Sequence, residues 1–409
     1  MKVEIITIGD ELLIGQVIDT NATWIAQQLT RHGFEVVAIS TVGDCSEDII
    51  KAIDIAFERS DILLLTGGVG PTNDDITKHT LCRYFHTALE LNDEVLQNIE
   101  SIFLKRNLQL NKLTYKQAYV PANSNIIQNS EGTAPIIWFE KGEKILVSMP
   151  GVPYEMKTAM HKDVIPMLEK RFHVNEYVSR SCIVTGITES DLASKLADFE
   201  LHLPSGFSLA YLPSLGYIVL RLSVWGEDHL QEIKLQMRKL KQIVKDHYVS
   251  KGSKLPEELL SDKLQKKDLT ISTAESCTGG HIAHKITTVP NASKYFIGSI
   301  VSYANSVKEE ILNVDKNAIE LHGAVSKEVV EQMAANVSKT LNTTCSIAVS
   351  GIMGPDGGQK EKPVGTVWIA TRHNNQIISQ KYNVGRSRKQ NIERTANLAI
   401  LQLLKMIGK

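Results

Sequence analysis

An α/β protein of more than one domain is the fold class this sequence predicts, and three observations carry the prediction. Short apolar, β-branched runs alternate with amphipathic stretches of helical period, the pattern of a mostly parallel sheet covered by helices. Several of those runs close in loops rich in glycine and acidic residues, at the strand ends where open α/β sheets hold their ligands. The chain has 409 residues, too many for one ordinary core, so two or three domains are expected.

Composition narrows the function classes. A hydrophobic content of 43% with 22% charged residues is globular. A formal net charge of −1 supplies no global field for nucleic acid or an anionic membrane. No apolar run approaches a membrane span, and residues 1–6 form a strand pattern with an early acid, unlike a signal peptide. A cytoplasmic protein without membrane association is expected. The cysteines, Cys45, Cys82, Cys182, Cys277 and Cys345, are odd in number and form no C-x-x-C pair, which argues against a disulfide framework or a zinc site.

The first domain is read as residues 1–171. Residues 3–8 form an apolar strand ending at Gly9-Asp10-Glu11. Asn21 is placed as N-cap of a helix over 22–31, with Gly33 at its stop. A strand over 35–42, a helix capped by Ser46 and running to about residue 59, and a buried strand over 61–65 follow. The third strand ends in Thr66-Gly67-Gly68-Val69-Gly70-Pro71-Thr72-Asn73-Asp74-Asp75. Glycines there admit an anion to backbone N–H groups, and the following helix start favours a phosphate. Asp10, Glu11, Asp74 and Asp75 are the candidate carboxylates for a divalent cation, with Lys78 one turn on as a phosphate partner. A glycine loop with aspartate caps is the competing reading; two acidic glycine loops on one rim weigh against it.

These segments, with Asp19-Thr20-Asn21 and Met149-Pro150-Gly151-Val152-Pro153, resemble the molybdopterin-binding-like domain of the CinA (competence/damage-inducible) family. The resemblance implies a three-layer α/β domain with a nucleotide-pyrophosphate site at Gly9, Asp10, Glu11, Asn21, Gly67, Gly68, Gly70, Asp74, Asp75 and Lys78. It implies ADP-ribose as ligand and a metal-dependent pyrophosphatase activity, with Asp10, Asp74 and Asp75 as metal ligands. Molybdopterin binding is the runner-up. After Gly132-Thr133-Ala134-Pro135 the family pattern carries a glycine, whereas this chain has Ile136.

A middle segment, residues 172–253, reads as a small α+β module. A strand over 181–185 precedes a helix over 188–199 and a hairpin of 207–212 with 217–225; a helix over 228–248 closes it. Leu220, Leu222 and Val224 alternate with Arg221 and Ser223, which predicts one exposed face open to a homodimer partner. The last helix carries Lys234, Arg238, Lys239, Lys241 and Lys245. The order of elements resembles a KH-like module, but no G-x-x-G loop is present to clamp a nucleic-acid backbone, so a solvated helix face is favoured. Lys251-Gly252-Ser253 before Pro256 reads as the domain boundary.

The last domain, residues 254–409, is read as a three-layer α/β sandwich. A buried strand over 269–273 stops at Ala274-Glu275-Ser276-Cys277-Thr278-Gly279-Gly280 and restarts as a helix. That places a hydroxyl at a tight turn beside backbone N–H groups and a helix N-terminus, the arrangement a serine nucleophile needs. A turn with capping hydroxyls is the competing reading. A strand over 299–303, a helix over 327–341 capped by Ser326, and a strand over 344–349 ending in Ser350-Gly351-Ile352-Met353-Gly354-Pro355-Asp356-Gly357-Gly358 follow. A hairpin of 364–371 with 376–384 and an amphipathic helix over 391–406 close the chain. Candidate bases for Ser276 are Lys308, which must be neutral to serve, and His281, His284 or His322. Cys277 is the alternative nucleophile.

The turn around Ser276, Tyr303-Ala304-Asn305-Ser306-Val307-Lys308, His322-Gly323-Ala324-Val325-Ser326, and the 350–358 loop with Lys362-Pro363-Val364-Gly365-Thr366-Val367 look like the carboxy-terminal CinA domain, which is similar to nicotinamide-nucleotide amidases. The resemblance implies deamidation of nicotinamide mononucleotide without a cofactor. It makes Ser276 the nucleophile, Lys308 the base and Tyr303 an assistant. The turn N–H groups of Thr278, Gly279 and Gly280 would hold the oxyanion, Gly351 and Gly354 would shape the pocket, and Arg386 or Arg388 would hold the phosphate. Where the family commonly has G-D-R, this chain has Gly385-Arg386-Ser387-Arg388. The resemblance also implies a homodimer. The non-catalytic alternative is a competence- or DNA-damage-associated binding protein.

Overall fold

Strand register explains how the apolar runs of the first unit become a three-layer sandwich. The computed structural model describes residues 1–409 except Asn73, Asn175, Arg386 and Lys409, and the Glu227 side chain. It divides into two units, residues 1–178 with 225–228, and residues 179–224 with 229–409.

The sheet of the first unit has the order Glu35–Val42, Lys2–Ile8, Ile62–Thr66, Lys144–Met149, Ile136–Lys141, Asn125–Ile127. The first four strands are parallel and the last two antiparallel. Successive residues go to opposite faces. Ile5, Ile62 and Leu64 pack with helix Thr20–Arg31 and the helical stretch 153–171; Ile6, Leu63 and Leu65 pack with helices Ser46–Arg59 and Thr77–Tyr84. Both faces are covered, as the unbroken apolar run of the third strand predicted.

Two caps differ from expectation by one position or more. Asp19, not Asn21, caps the first long helix, its carboxylate accepting the Ala22 N–H at 2.9 Å. Cys45 rather than Ser46 stands at the next N-cap. The shift frees Asn21 and Ser46 to use their side chains elsewhere: the Ser46 hydroxyl accepts from Thr80 at 3.1 Å.

In the second unit, five strands run in the order Phe296–Val301, Ile271–Glu275, Cys345–Gly351, Thr366–His373, Gln376–Asn383. The first three are parallel. Ala274, Ala348 and Ala370 stand side by side across three strands, so helices Lys316–His322 and Lys327–Thr340 meet a row of small side chains. Ser326 caps the second of these, as expected. The other face carries Ile271, Ile347, Val349, Val367 and Ile369 under helices Pro256–Lys266, His281–Thr287 and Arg388–Gly408.

The middle segment contributes a second sheet, ordered Ser208–Ser214, Tyr217–Trp225, Tyr177–Val184, Tyr248–Lys251. The helix expected over 228–248 is Leu230–Ile243; a turn at 244–247 ends it, and Tyr248–Lys251 pairs with Cys182–Val184 as a strand the sequence reading did not contain. The hairpin face expected to be free is not. Val219 is 8% and Ser223 5% exposed, and Ile183 and Val219 join the core around the closing helix. Asn397 of that helix donates to the Leu215 carbonyl at 2.9 Å. The chain itself therefore covers the face that was to receive a dimer partner. Lys234, Arg238 and Lys239 lie on the exposed side of Leu230–Ile243, opposite buried Ile233, Met237 and Leu240, and Lys245 is exposed in the turn that follows, a solvated face.

Candidate functional site

Two strand-end turns hold the candidate residues, one in each unit. In the second unit, strand Ile271–Glu275 is buried throughout and ends at a glutamate with no exposure. The Glu275 carboxylate folds forward over the turn. Its Oε2 accepts from the Thr278 hydroxyl at 2.7 Å and from the N–H groups of Gly280 and Ile282 at 3.1 and 3.0 Å; its Oε1 accepts from the Ala283 N–H at 2.8 Å. A carboxylate at a helix N-terminus is favoured by the helix dipole as well as by these bonds. Gly280, at φ +97°, makes the left-handed step into helix His281–Thr287.

This clamp corrects the expected oxyanion donors. The Gly280 N–H belongs to Glu275, and the Gly279 N–H bonds the Ser276 carbonyl at 3.2 Å. Among the described residues, the Thr278 N–H is left without a protein acceptor in this turn, and the Cys277 N–H reaches only its own thiol. They follow the serine directly, where a nucleophile turn usually finds its donor.

Lys308 lies on helix Asn305–Glu310 and is 1% exposed. Its Nζ is 3.2 Å from Ser276 Oγ and donates to the carbonyls of Ser302 and Tyr303 at 2.7 and 3.3 Å. All three partners are neutral. Burial without a carboxylate holds the Lys308 ammonium below the usual lysine range, so the neutral amine becomes accessible. The neighbouring Cys277 thiol is buried, and its pKa is pushed up to about 12, which leaves it protonated and unreactive. Of the histidines, His281 pairs with Glu393 at 2.6 Å and His322 stands 4.0 Å from Glu328; no hydrogen bond joins a histidine to Ser276 among the described residues.

Tyr303 holds Lys308 through its backbone carbonyl; its side chain is exposed, and its hydroxyl accepts from Arg388 at 3.1 Å. Arg388 also donates to the Gly354 carbonyl at 2.7 Å, tying the closing helix to the 351–358 loop; Asn391 supports that loop through the Met353 carbonyl at 3.0 Å. Arg388 is thus on the site, and its charge reaches Cys277. Arg386 lies outside the described residues. Glu275 and Asn391 are the residues that sequence reasoning missed. A lone acid ending a buried strand before Ser-Cys-Thr-Gly-Gly was the available signal for Glu275.

In the first unit, the loop after Ile62–Thr66 is shaped by Gly67, whose φ of +115° and contact with the Ile8 carbonyl leave no room for a side chain. Asp75 closes the loop on itself. It accepts from the N–H groups of Gly70 and Thr72 at 2.7 and 2.8 Å and from the Thr72 hydroxyl at 2.5 Å. The N–H groups of Gly68 and Val69 have no protein acceptor among the described residues. Asn21, freed from capping, donates to the Gly151 carbonyl at 2.7 Å and draws in the 149–153 loop. The result is a cavity of about 400 Å³ lined by Glu11, Asn21, Gly67, Gly68, Gly70 and Asp75, among others. Ile136 faces the core with no exposure, and Asn129 forms the loop before it by accepting the N–H groups of Glu131 and Gly132, so no glycine is needed at 136.

The remaining candidates lie elsewhere. Gly9, Asp10, Asp74 and Lys78 do not line this cavity. Asp10 and Asp44 exchange backbone-to-carboxylate bonds at 3.1 and 3.2 Å. Partial burial, and then the nearby charges of Asp10, Glu11 and Asp74, raise the Asp44 pKa. Asp75 is committed to its own loop and does not join Asp10 and Asp74, whose charges both act on Asp44. No group of three or more His, Cys, Asp or Glu side chains able to hold a metal ion occurs among the described residues. The expected divalent cation does not fit the carboxylates as they stand.

Residues 4–170 match the family described as "Probable molybdopterin binding domain", and residues 254–407 match "CinA C-terminal domain". Over 405 residues the chain is 42% identical to a CinA-like protein of Cytophaga hutchinsonii, covering 98% of this chain and 97% of that one. This chain belongs to the CinA family. A second CinA-like protein, from Flavobacterium psychrophilum, is 41% identical over 417 residues, covering 100% of this chain and 99% of that one. Among solved structures, the competence/damage inducible protein CihA from Agrobacterium tumefaciens is 32% identical, with a TM-score of 0.37, covering 39% of this chain and 100% of that one. The CinA match contains Ser276, Tyr303, Lys308 and Arg388; the molybdopterin-binding match contains the glycine loop and Asn21. No helix among the described residues is long and apolar enough to cross a membrane.

Proposed function

We propose that the second unit of this CinA-family protein is a serine amidase acting on the carboxamide of nicotinamide mononucleotide. The observation that carries this reading is a buried Lys308 amine 3.2 Å from Ser276 Oγ, with no carboxylate to hold its proton. A neutral lysine is a competent base for a serine hydroxyl. Ser276 Oγ attacks the amide carbon as Lys308 Nζ takes its proton. The Cys277 and Thr278 N–H groups face the developing oxyanion, each well-placed donor being worth about 3–4 kcal/mol. Collapse breaks the C–N bond while Lys308 returns the proton to the departing ammonia. Water then attacks the acyl-serine, its proton passing to Lys308 and on to Ser276, and releases nicotinate mononucleotide. Arg388 is the phosphate partner, with its Tyr303 and Gly354 contacts fixing the guanidinium.

For the first unit the reading is binding of a nucleotide pyrophosphate, with the Gly68 and Val69 N–H groups as anion donors. Its carboxylates are not assembled for a metal, and no hydrolytic step is assigned to them. The match to a molybdopterin binding domain favours a pterin as the competing ligand, and displacement of bound AMP by a pterin would favour that assignment.

The deciding experiment is ammonia release from nicotinamide mononucleotide. The wild type should release ammonia, and Ser276→Ala should lower the rate by on the order of 10³-fold or more. No release by the wild type across pH and temperature removes the reading. Full activity in Ser276→Ala moves the nucleophile elsewhere.

A further inference from the structure

The second unit carries a cluster of charged side chains that the acylation steps do not use. His281 follows Gly280 directly, and Lys285 stands one turn further along the same face of helix His281–Thr287. Both reach Glu393 of the closing helix. His281 Nε2 lies 2.6 Å from Glu393 Oε2, and Lys285 Nζ donates to Glu393 Oε1 at 2.8 Å. Lys285 Nζ also stands 3.3 Å from Glu257 Oε1 on helix Pro256–Lys266, so three helices meet at this amine. The Lys285 side chain is 13% exposed and that of Glu257 8%. Burial opposes both charges of the central pair, yet their bonds outweigh it: the Glu393 carboxyl is held below the usual carboxylate range and the Lys285 ammonium above the usual lysine range. An ionised Glu393 only accepts, so His281 Nε2 is the donor. Buried ion pairs are weak sources of stability, and fixing register is their best-attested use.

Register is what the amidase site needs from these helices. Glu393 lies five residues after Arg388 on Arg388–Gly408, a rise of roughly 7.5 Å. Asn391, between them, holds the Met353 carbonyl. The start of the closing helix therefore carries the phosphate arginine, the support of the 351–358 loop and the anchor of the serine turn. We propose that Glu393 is a positioning residue that sets the span between the Ser276 turn and Arg388, and thereby selects a carboxamide that bears a phosphate over the same carboxamide without one. The inference rests on the amidase reading. Glu393 acts through His281 and Lys285, which belong to the helix that continues the turn, and through Arg388 on its own helix. A mononucleotide is gripped at both ends, its carboxamide at Ser276 and its phosphate at Arg388, so an error in the span falls on it. The nucleoside is held at one end and follows the turn.

Ammonia release from nicotinamide mononucleotide, and from the nucleoside that lacks its phosphate, tests the assignment in the full chain. The variants are Glu393→Ala, Arg388→Ala and the two combined. Glu393→Ala is expected to lower kcat/KM for the mononucleotide about tenfold, through KM, and to change that for the nucleoside by less than about twofold. The double variant should match Arg388→Ala on the mononucleotide within about twofold, because Glu393 works by placing the arginine. His281 gives a second route that leaves the Lys285–Glu393 pair intact. His281→Ala should lower the preference for the mononucleotide about threefold, and His281→Gln, whose amide nitrogen can donate to Glu393, should recover it. Equal losses on both substrates in Glu393→Ala and His281→Ala alike reduce the cluster to support of the fold and overturn the proposal. Additive losses in the double variant, or a preference unmoved by either substitution, overturn it as well and leave the amidase standing. Failure of the wild type to release ammonia from the mononucleotide overturns the amidase reading, and the role of Glu393 with it.

Discussion

The two turns use one device to opposite ends. Each lies at the carboxyl end of a buried parallel strand, and each is tied by a single carboxylate. Glu275 stands before its turn and reaches forward to a hydroxyl and the first N–H groups of the helix. Asp75 stands after its loop and reaches back to Gly70 and Thr72. The Glu275 clamp leaves a hydroxyl, a buried amine and free N–H groups next to one another. The Asp75 clamp leaves free N–H groups in a cleft that also holds Glu11, with no hydroxyl-and-buried-amine pair like that of Ser276 and Lys308 among the described residues. Acid and glycine at a strand end therefore announce a rigid turn; what lies against the turn decides between chemistry and binding.

The largest test of that difference is Lys308→Ala. Loss of a positioned base should lower kcat about 10²–10⁴-fold, with the melting temperature held or raised because a buried amine is removed. The same lysine dictates a pH profile. The active form is the neutral amine, so kcat/KM should fall as pH drops below the Lys308 pKa. Burial places that pKa below the usual lysine value, so the limb should appear on the acid side of it. A limb at the ordinary lysine position would remove the distinction that burial makes between the two turns.

Next in size is Glu275→Gln. The amide presents an N–H₂ to donors that now meet a carboxylate oxygen, so the turn must shift. Misplacement of a nucleophile by an ångström costs about 10²-fold, and the loss should fall on kcat with KM little changed. A rise in KM with unchanged kcat would reassign Glu275 from positioning the serine to binding substrate. The matching change in the other turn, Asp75→Asn, puts an N–H₂ against the Gly70 or Thr72 donors. An unsatisfied donor of this kind costs about 1–3 kcal/mol, so AMP binding should weaken about tenfold while ammonia release stays at the wild-type rate. Loss of both activities together would mean that Asp75 supports more than its own loop.

Much of this comparison was legible in the sequence, and the unread part has physical causes. The strand–turn–helix around Ser276 and the glycine loop after Ile62–Thr66 are local patterns: a run of β-branched or apolar residues, glycines for the turn, a helical period after it. Lys308 was named as a base, but its neutrality comes from burial among Ser276, Ser302 and Tyr303, which only tertiary packing creates. Asn21 reads as a cap because asparagine caps helices; Asp19 two residues earlier does so too, and only the loop at Gly151 shows which side chain was needed elsewhere. The alternation in Tyr217–Trp225 predicted an open face because Arg221 and Ser223 are polar, yet the closing helix, more than 160 residues on, supplies the cover. Asp10, Asp74 and Asp75 share a rim in the sequence reading, but their oxygens are distributed among separate local bonds.

The smallest expected effect is also the sharpest check on the nucleophile. Cys277 adjoins Ser276 and would be the stronger nucleophile if it were a thiolate. Burial first, helped by the neighbouring Glu275 charge, keeps it a thiol against the opposing pull of its own backbone N–H and of the Lys308 and Arg388 charges. Cys277→Ala should therefore change kcat by less than about threefold, because the backbone N–H at 277 survives and little packing volume is lost. Cys277→Pro removes that N–H and should cost on the order of 10²-fold even if the turn keeps its shape, the penalty for one oxyanion donor. If alanine is as damaging as proline, the side chain and not the N–H is what the reaction uses. The contrast between the turns would then rest on a thiol and not on a serine with a buried amine.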